Sequence, residues 1–226
     1  MDDIFLKAFG IEKGAVFITG AGGKTNLIKR LALEAKSRGM SVLITASTKM
    51  YLPDYADHVD LSGKCFEGQE ISCGIYVVSE GIDHNKIFLD TPAKYNDLKE
   101  RFDLMLIEAD GSKKKPLKGW NHYEPVIYPC GDYTIGIINY SVLGMRLDES
   151  LVHRYSVFKV LTGLQDGDVI EKKHLYALVN HKIGLFKASS GRKILYFSHS
   201  PEDADIEKQS MMTVCGDVFA ERVRVL

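Results

Sequence analysis

The stretch Gly14-Ala-Val-Phe-Ile-Thr-Gly-Ala-Gly-Gly-Lys-Thr25 decides the fold of this 226-residue chain. Residues 14–19 are a short apolar run, typical of a buried parallel strand, and the run stops at a cluster of glycines. From Lys24 to Arg38, apolar residues recur at helical spacing, and residues 41–45 (Ser-Val-Leu-Ile-Thr) form a second apolar run. A strand, a glycine loop, a helix and a strand within about thirty residues make a βαβ unit, so the sheet is predicted to be mainly parallel.

The rest of the chain continues this alternation of strands and helices. Further strands are predicted at 75–78, 103–111, 133–138 and 193–198, and helices at 95–102, 151–161 and 172–180. The stretch 50–91 is rich in turn-forming glycines and, apart from the strand at 75–78, gives no clear pattern. We therefore expect an α/β fold in which helices flank a mainly parallel sheet, a three-layer architecture like that of P-loop NTPases, as a single domain over residues 1–226.

Composition indicates which partners the protein has. Hydrophobic residues make up 45% and charged residues 26%, which is ordinary for a globular protein, and the formal net charge is −1. Without a basic excess, neither nucleic acid nor an anionic membrane is the expected partner. The four cysteines form no Cys-x-x-Cys pair, and no stretch reaches the length of a membrane span. The prediction is a cytoplasmic protein that binds small molecules or proteins.

The glycine loop is the first candidate site. The P-loop pattern Gly-x-x-x-x-Gly-Lys-Ser/Thr is matched only in part, because Ile18 stands at the position of the first glycine. Glycines at 20, 22 and 23 still leave room for backbone amides to surround phosphates, with the positive end of the following helix pointing at them. In such a site Lys24 would bind the β- and γ-phosphates, and Thr25 would place its hydroxyl on Mg²⁺. The competing interpretation is that residues 20–23 are only a tight turn.

Carboxylates and lysines near strand ends complete the candidate set. The strand beginning at Asp103 ends in Glu108 and Asp110; Asp110 would approach the water shell of the metal, and Glu108 would orient water or act as a base, although such carboxylates also cap turns. Lys49 follows the second strand, where parallel sheets carry their binding loops. A basic loop that either holds an anion or lies in solvent contains Lys113, Lys114, Lys115 and Lys118.

Six blocks of sequence, taken together and in this order, resemble the YqeC family. They are Gly20-Ala-Gly-Gly-Lys-Thr25, Thr45-Ala-Ser-Thr-Lys-Met50, Glu108-Ala-Asp-Gly-Ser112, Pro116-Leu-Lys118, Glu124-Pro-Val-Ile127 and Val152-His-Arg154. The resemblance implies a P-loop-type nucleotide-binding fold and a part in maturing selenium-dependent molybdenum hydroxylases. It also places Lys49, Lys113, Lys118, Glu124, His153 and Arg154 at motif positions.

The chain departs from the family pattern at four places. Asn26 replaces a threonine, Tyr123 replaces a histidine and Tyr128 replaces a proline. After the last predicted strand the chain reads Ser198-His-Ser-Pro-Glu-Asp203, where the family carries an asparagine-containing segment like a base-reading loop. The choice between ATP and GTP is therefore left open by the sequence.

The leading hypothesis is a Mg²⁺-dependent nucleoside triphosphatase, with a molybdenum hydroxylase or its cofactor as partner. Its catalytic residues are Lys24, Glu108 and Asp110, and its metal-binding residues are Thr25, Asp110 and Glu108. The predicted nucleotide-binding residues are Gly20, Ala21, Gly22, Gly23, Lys24, Thr25, Asn26, Lys49, Lys113 and Arg154. The alternatives are a small-molecule kinase or ATP-dependent ligase, with Lys49, Lys113 or Arg154 holding the acceptor, and a scaffold that binds nucleotide or a cofactor without turnover.

Overall fold

The computed structural model describes residues 3–226 and has a large sheet between two layers of helices. The helices are α1 Ile4–Phe9, α2 Lys24–Ser37, α3 Pro92–Arg101, α4 Tyr155–Thr162 and α5 Lys172–Asn180. The strands are β1 Gly14–Gly20, β2 Ser41–Ala46, β3 Met50–Tyr51, β4 His58–Asp60, β5 Gly74–Val78, β6 Ile82–Asp83, β7 Lys86–Ile87, β8 Leu104–Glu108, β9 Leu117–Lys118, β10 Tyr133–Asn139, β11 Val152–His153, β12 Arg192–Ser198, β13 Met212–Asp217 and β14 Arg222–Val225.

Within residues 3–226 the main sheet has nine strands in the order β14-β13-β12-β10-β1-β8-β2-β5-β4. Every neighbouring pair is parallel except β13 and β14. Strand β1 lies near the centre, between β8 and β10, so the glycine loop that follows it opens at the carboxyl edge of the sheet. This arrangement confirms the predicted α/β fold with a mainly parallel sheet in a three-layer, P-loop NTPase-like architecture.

Alternation along the strands separates the two helical layers. On β1, Val16 and Ile18 pack in the cluster that includes α1 and α2, whereas Ala15 and Phe17 face the cluster that includes α3. Successive side chains on a strand point to opposite faces of the sheet, so an uninterrupted apolar run supplies apolar side chains to both helical layers. Helices α4 and α5 pack on the α3 side of the sheet, against the β10–β12–β13 end. Both faces of β1 are therefore buried, which explains its continuous apolar run.

One predicted helix begins later than expected, and two groups of strands were not predicted. The helix predicted at 151–161 begins only at Tyr155, because Glu149–Leu151 is a 3-10 turn and Val152–His153 pairs with β9. The unassigned stretch contains β4 and a small antiparallel sheet in the order β3-β7-β6. Strands β13 and β14 extend the main sheet beyond β12, which was the last predicted strand. In the described part of the chain, no helix has the length and apolar character needed to span a bilayer.

Candidate functional site

A cavity of about 580 Å³ opens at the carboxyl edge of the sheet, where β1, β2 and β8 end. Strand register creates it: Glu108 on β8 is paired with Ile18 on β1 and with Ala46 on β2, so the segments after all three strands leave the sheet together. The volume is typical of a small-molecule site. The lining residues are Gly22, Gly23, Lys24, Thr25, Asn26, Lys49, Met50, Tyr51, Lys86, Glu108, Gly111, Ser112, Lys113, Lys114 and Lys115.

The glycine loop has a shape that only glycines can supply. Gly20 has a φ of +104°, and a Cβ there would lie 2.2 Å from the carbonyl oxygen of Ile137. Gly22 has a φ of +79°, and its Cβ would lie 2.5 Å from the Cβ of Asn139. Helix α2 then begins at Lys24 with no side-chain cap and no acidic residue in its first turn. Its first amides are thus left without intrahelical or capping acceptors, as an anion-binding loop requires.

Lys24 is buried beneath the loop that it follows. Its Nζ donates to the carbonyl oxygen of Gly20 at 2.6 Å and lies 3.3 Å from Asp110 Oδ1 and 3.9 Å from Glu108 Oε1. The ammonium therefore occupies the junction between the glycine loop and the end of β8. Thr25, the next residue, is exposed and lines the cavity.

Asp110 lies behind the loop and does not line the cavity. Its carboxylate is fully buried and accepts hydrogen bonds from Thr19 Oγ1 at 2.8 Å, from the Gly20 amide at 3.2 Å and from Trp120 Nε1 at 2.8 Å. Burial would raise the pKa of Asp110, but the ammonium groups of Lys24 and Lys118 and these donors outweigh burial and lower it. Asp110 is thus an ionised anchor for the loop and for Lys24, with its oxygens already occupied.

Glu108 differs from Asp110 in both position and ionisation. It lines the cavity, and its side chain is only 10% exposed. Burial is the largest influence on it and raises its pKa to about 7, reinforced by the negative charge of Asp110 and opposed by Lys24. A carboxyl group with a pKa near neutrality can accept and release a proton at physiological pH. Of the two predicted acidic residues, Glu108 is the one that the structure places where it can act on a ligand.

Six lysines line this cavity, of which the sequence predicted Lys24, Lys49 and Lys113 as nucleotide-binding residues and indicated Lys114 and Lys115 as part of the basic loop. Lys86 was missed, and its ammonium group and that of Lys114 lie over the ring of Tyr51, at 5.1 Å and 5.2 Å from its centroid. Lys86 is on β7, in the stretch that had no assignment, so only the pairing of β3 with β7 brings it to the site. Lys115 donates to the carbonyl oxygens of Glu149 and Val152 at 2.7 Å and 3.1 Å.

Arg154 was predicted to contact the nucleotide, but it lies outside the cavity lining. Its guanidinium donates two hydrogen bonds of 2.8 Å to the carboxylate of Glu124, which also pairs with Lys118 Nζ at 3.2 Å. Lys118 in turn lies 2.9 Å from Asp110, so these alternating charges run inward to the base of the loop. Neighbouring His153 is held neutral, because burial and the charges of Lys118 and Arg154 lower its pKa to about 4. Both residues precede α4, whereas the sequence had placed them at the start of a helix.

The end of β12 and the residue after it lie next to the glycine loop. Ser198 Oγ donates to the carbonyl oxygen of Gly22 at 2.5 Å. The ring of His199 stacks on Phe219, which is 70% exposed. Of the predicted loop residues, Gly20 and Ala21 form its base without lining the cavity, and residues 22–26 line it.

The cavity has few side chains that could bind a metal ion. Within residues 3–226 no group of three or more His, Cys, Asp and Glu side chains is arranged to hold a metal. Mg²⁺ in nucleotide sites commonly takes one or two protein ligands and completes its shell with phosphates and water. Thr25, an exposed residue that lines the cavity, carries a hydroxyl of the kind that Mg²⁺ binds. A Mg²⁺ ion held by Thr25 would need its other ligands from a bound molecule and from water, because the described residues form no closed metal cage.

Comparison with known proteins gives concordant results. The family model described as YqeC protein matches residues 16–156, which include the glycine loop, Glu108 and the lysines at 113–115. The Uncharacterized protein YqeC of Escherichia coli (strain K12) is 32% identical over 189 residues, covering 76% of this chain and 70% of that relative. No solved structure matches the chain. A family match over more than half of the sequence, supported by this relative, shows that the chain belongs to the YqeC family.

Proposed function

We propose that this protein is a Mg²⁺-dependent nucleoside triphosphatase. The observation that carries the proposal is the convergence of Lys24, Thr25 and Glu108 on one cavity, at the start of an uncapped helix and beside a glycine loop. These are the groups needed for binding phosphates, for placing a hydroxyl on Mg²⁺ and for accepting a proton. Ile18, at the position of the first glycine of the P-loop pattern, belongs to β1, so the loop is shorter than the usual one. The positive φ values at Gly20 and Gly22 still keep its backbone tightly turned.

Each residue has a distinct part in the proposed reaction. The hydroxyl of Thr25 would hold Mg²⁺, which would neutralise phosphate charge when bound. The Lys24 ammonium gives up its hydrogen bond to the Gly20 carbonyl and binds phosphate oxygens instead. Asp110 holds the base of the loop in place by accepting a hydrogen bond from the Gly20 amide. Glu108 orients water and accepts its proton on the carboxylate that faces the cavity. Asp110, whose oxygens are engaged by Thr19, Gly20 and Trp120, acts as a positioning group and not as a metal ligand.

The test is calorimetric titration of ATP and of GTP, each with Mg²⁺, into the wild-type protein and Lys24→Ala, followed by phosphate release with the nucleotide that binds. Loss of the charge-assisted contacts of one ammonium is expected to weaken binding by at least tenfold. Lys182→Gln, at an exposed lysine that does not line this cavity, is the matched control. Equal affinity in Lys24→Ala and wild type would contradict the proposal.

A second candidate function, transfer of the phosphoryl group to a small molecule, is favoured by the surplus of lysines in the cavity. Six lysines line it together with one carboxylate, whereas a phosphate loop uses one lysine. Phosphate release that requires an added acceptor would favour this kinase or ligase activity over hydrolysis. Tight nucleotide binding without turnover, even with a partner present, would favour a scaffold.

We further propose that the nucleotide cycle serves maturation of a molybdenum hydroxylase. The support is the role in maturing selenium-dependent hydroxylases that the resemblance to the YqeC family implies, together with a cavity whose lysines would favour a small anion. Affinity purification of the wild-type protein and Lys24→Ala from the native cell tests this process. Recovery of a hydroxylase subunit or of its pterin cofactor with the wild-type protein is expected, and recovery of neither would refute it.

A further inference from the structure

One wall of the cavity, made of residues outside the glycine loop, has its own chemistry. It is built from β3, β7 and the segment after β8, and it carries Tyr51, Lys86, Lys113 and Lys114. The glycine loop, between β1 and α2, forms another wall of the same cavity. The two walls come from separate parts of the chain, so each presents its own binding groups to the same space.

The charges on this wall are not neutralised by the protein. Among residues 3–226, no carboxylate lies within ion-pair distance of Lys86, Lys113 or Lys114, whereas Lys49 at the same mouth pairs with Asp83 at 2.6 Å. Like charges gathered around a cavity repel one another and favour binding of an anion. In the proposed triphosphatase site, Mg²⁺-nucleotide would bind Lys24 and the amides of the glycine loop. Lys86, Lys113 and Lys114 would then be available to bind a further anionic group.

Tyr51 adds an aromatic surface to this wall. Its side chain is 50% exposed although it lines the cavity, and Lys86 and Lys114 lie over its ring. A planar ligand can stack on this half-exposed ring by taking the place of an ammonium group that lies over it, and the displaced lysine can then bind the ligand's acidic group. Backbone geometry supports a functional role, since Lys113 and Lys114 have φ values of 51° and 61°, a conformation that side chains other than glycine seldom adopt.

We propose that this wall, Tyr51 with Lys86, Lys113 and Lys114, binds a second small molecule beside the nucleotide: a phosphorylated compound with a planar unsaturated ring. The cavity volume of about 580 Å³ suits a small molecule. Lys86 lies close enough to Glu108 for its charge to lower the pKa of that carboxyl, so the second ligand binds next to the group that handles protons. Binding alongside the nucleotide rests on the proposed function, whereas binding of the second ligand itself does not.

Phenyl phosphate is the probe, because it combines one ring with one phosphate. It is titrated into the full-length protein saturated with Mg²⁺ and a non-hydrolysable nucleotide, with inorganic phosphate and phenol as probes that each lack one part. We expect phenyl phosphate to bind more tightly than either part, and the double variant Lys86→Gln/Lys114→Gln to weaken it by about tenfold or more. Tyr51→Leu should remove the advantage of phenyl phosphate over inorganic phosphate and leave phosphate binding within about twofold. Lys182→Gln should bind like wild type.

Two results would overturn the inference. One is displacement of the nucleotide by phenyl phosphate, and the other is loss of nucleotide affinity in Lys86→Gln/Lys114→Gln as large as the loss for the probe; either would show that this wall holds the nucleotide itself. If no nucleotide binds at all, the same titration without nucleotide separates the two ideas. Probe binding that depends on Lys86 and Lys114 would then sustain the second site while the triphosphatase proposal fails, and no probe binding would refute both.

Discussion

Replacing Glu108 by glutamine tests whether ionisation of this buried carboxyl group lowers the stability of the folded protein. Glutamine keeps the size of the side chain but cannot ionise, so the variant removes the titration without creating a cavity. In the folded protein burial raises the pKa of Glu108 from 4.5 to about 7. Between these values the folded chain holds a proton that the unfolded chain has released. The wild-type protein should therefore lose stability as pH rises through this window, and the variant should not lose it.

The magnitude follows from the two pKa values. Because each pKa unit corresponds to about 1.4 kcal/mol, full ionisation of Glu108 costs ~3 kcal/mol of folding free energy, of which ~2.5 kcal/mol falls between pH 5 and pH 8. Urea denaturation of wild type and Glu108→Gln at several pH values across this range measures the difference directly. We expect Glu108→Gln to gain ~2–3 kcal/mol on wild type from pH 5 to pH 8.

The control is Glu70→Gln, at an exposed carboxylate far along the chain from the site, whose difference from wild type should stay constant with pH. Parallel stability profiles for Glu108→Gln and wild type would refute the reasoning. The same ionisation bears on turnover: if Glu108 is the base, kcat/KM should rise with pH through about 7, and this rise should vanish in Glu108→Gln.

Three further substitutions test the loop and its supports. Gly22→Ala forces a Cβ to 2.5 Å from that of Asn139 at a φ of +79°; we expect a loss of ~1–3 kcal/mol with weaker nucleotide binding, and an unchanged melting temperature would count against the loop geometry. Lys118→Met leaves the buried Asp110 carboxylate with one fewer cation, so urea unfolding should show a loss of ~3–5 kcal/mol, and a loss below ~1 kcal/mol would contradict the pairing. Arg154→Gln should leave nucleotide affinity within about twofold, as calorimetry would show, because this side chain lies outside the cavity; a tenfold fall would return it to the site.

Much of the central architecture could be predicted because it is encoded by neighbours in the chain. The apolar run of β1, the glycines after it and the helical spacing from Lys24 are local patterns, and they indicated the βαβ unit that the structure contains. Glu108 was identified in the same way, since the carboxyl ends of parallel strands meet at one edge of a sheet. Thus Lys24, Thr25 and Glu108 were brought to one cavity by features visible in short windows of sequence.

The remaining parts depend on contacts between distant segments, and these decided the roles of individual side chains. Asp110 resembled Glu108 in the sequence, yet Thr19, Trp120 and two lysines hold it behind the loop. Arg154 was expected at the ligand, but Glu124, thirty residues earlier, engages its guanidinium.

The wall of Tyr51 and Lys86 arises only when β3 pairs with β7 across a stretch that shows no periodicity. Sequence alone therefore determined the layered fold, the glycine loop and the residues next to it, since backbone preference and apolar spacing act locally. Tertiary structure alone decided which charges are paired and which face the cavity, because burial and ion pairing depend on residues that the chain brings together only on folding.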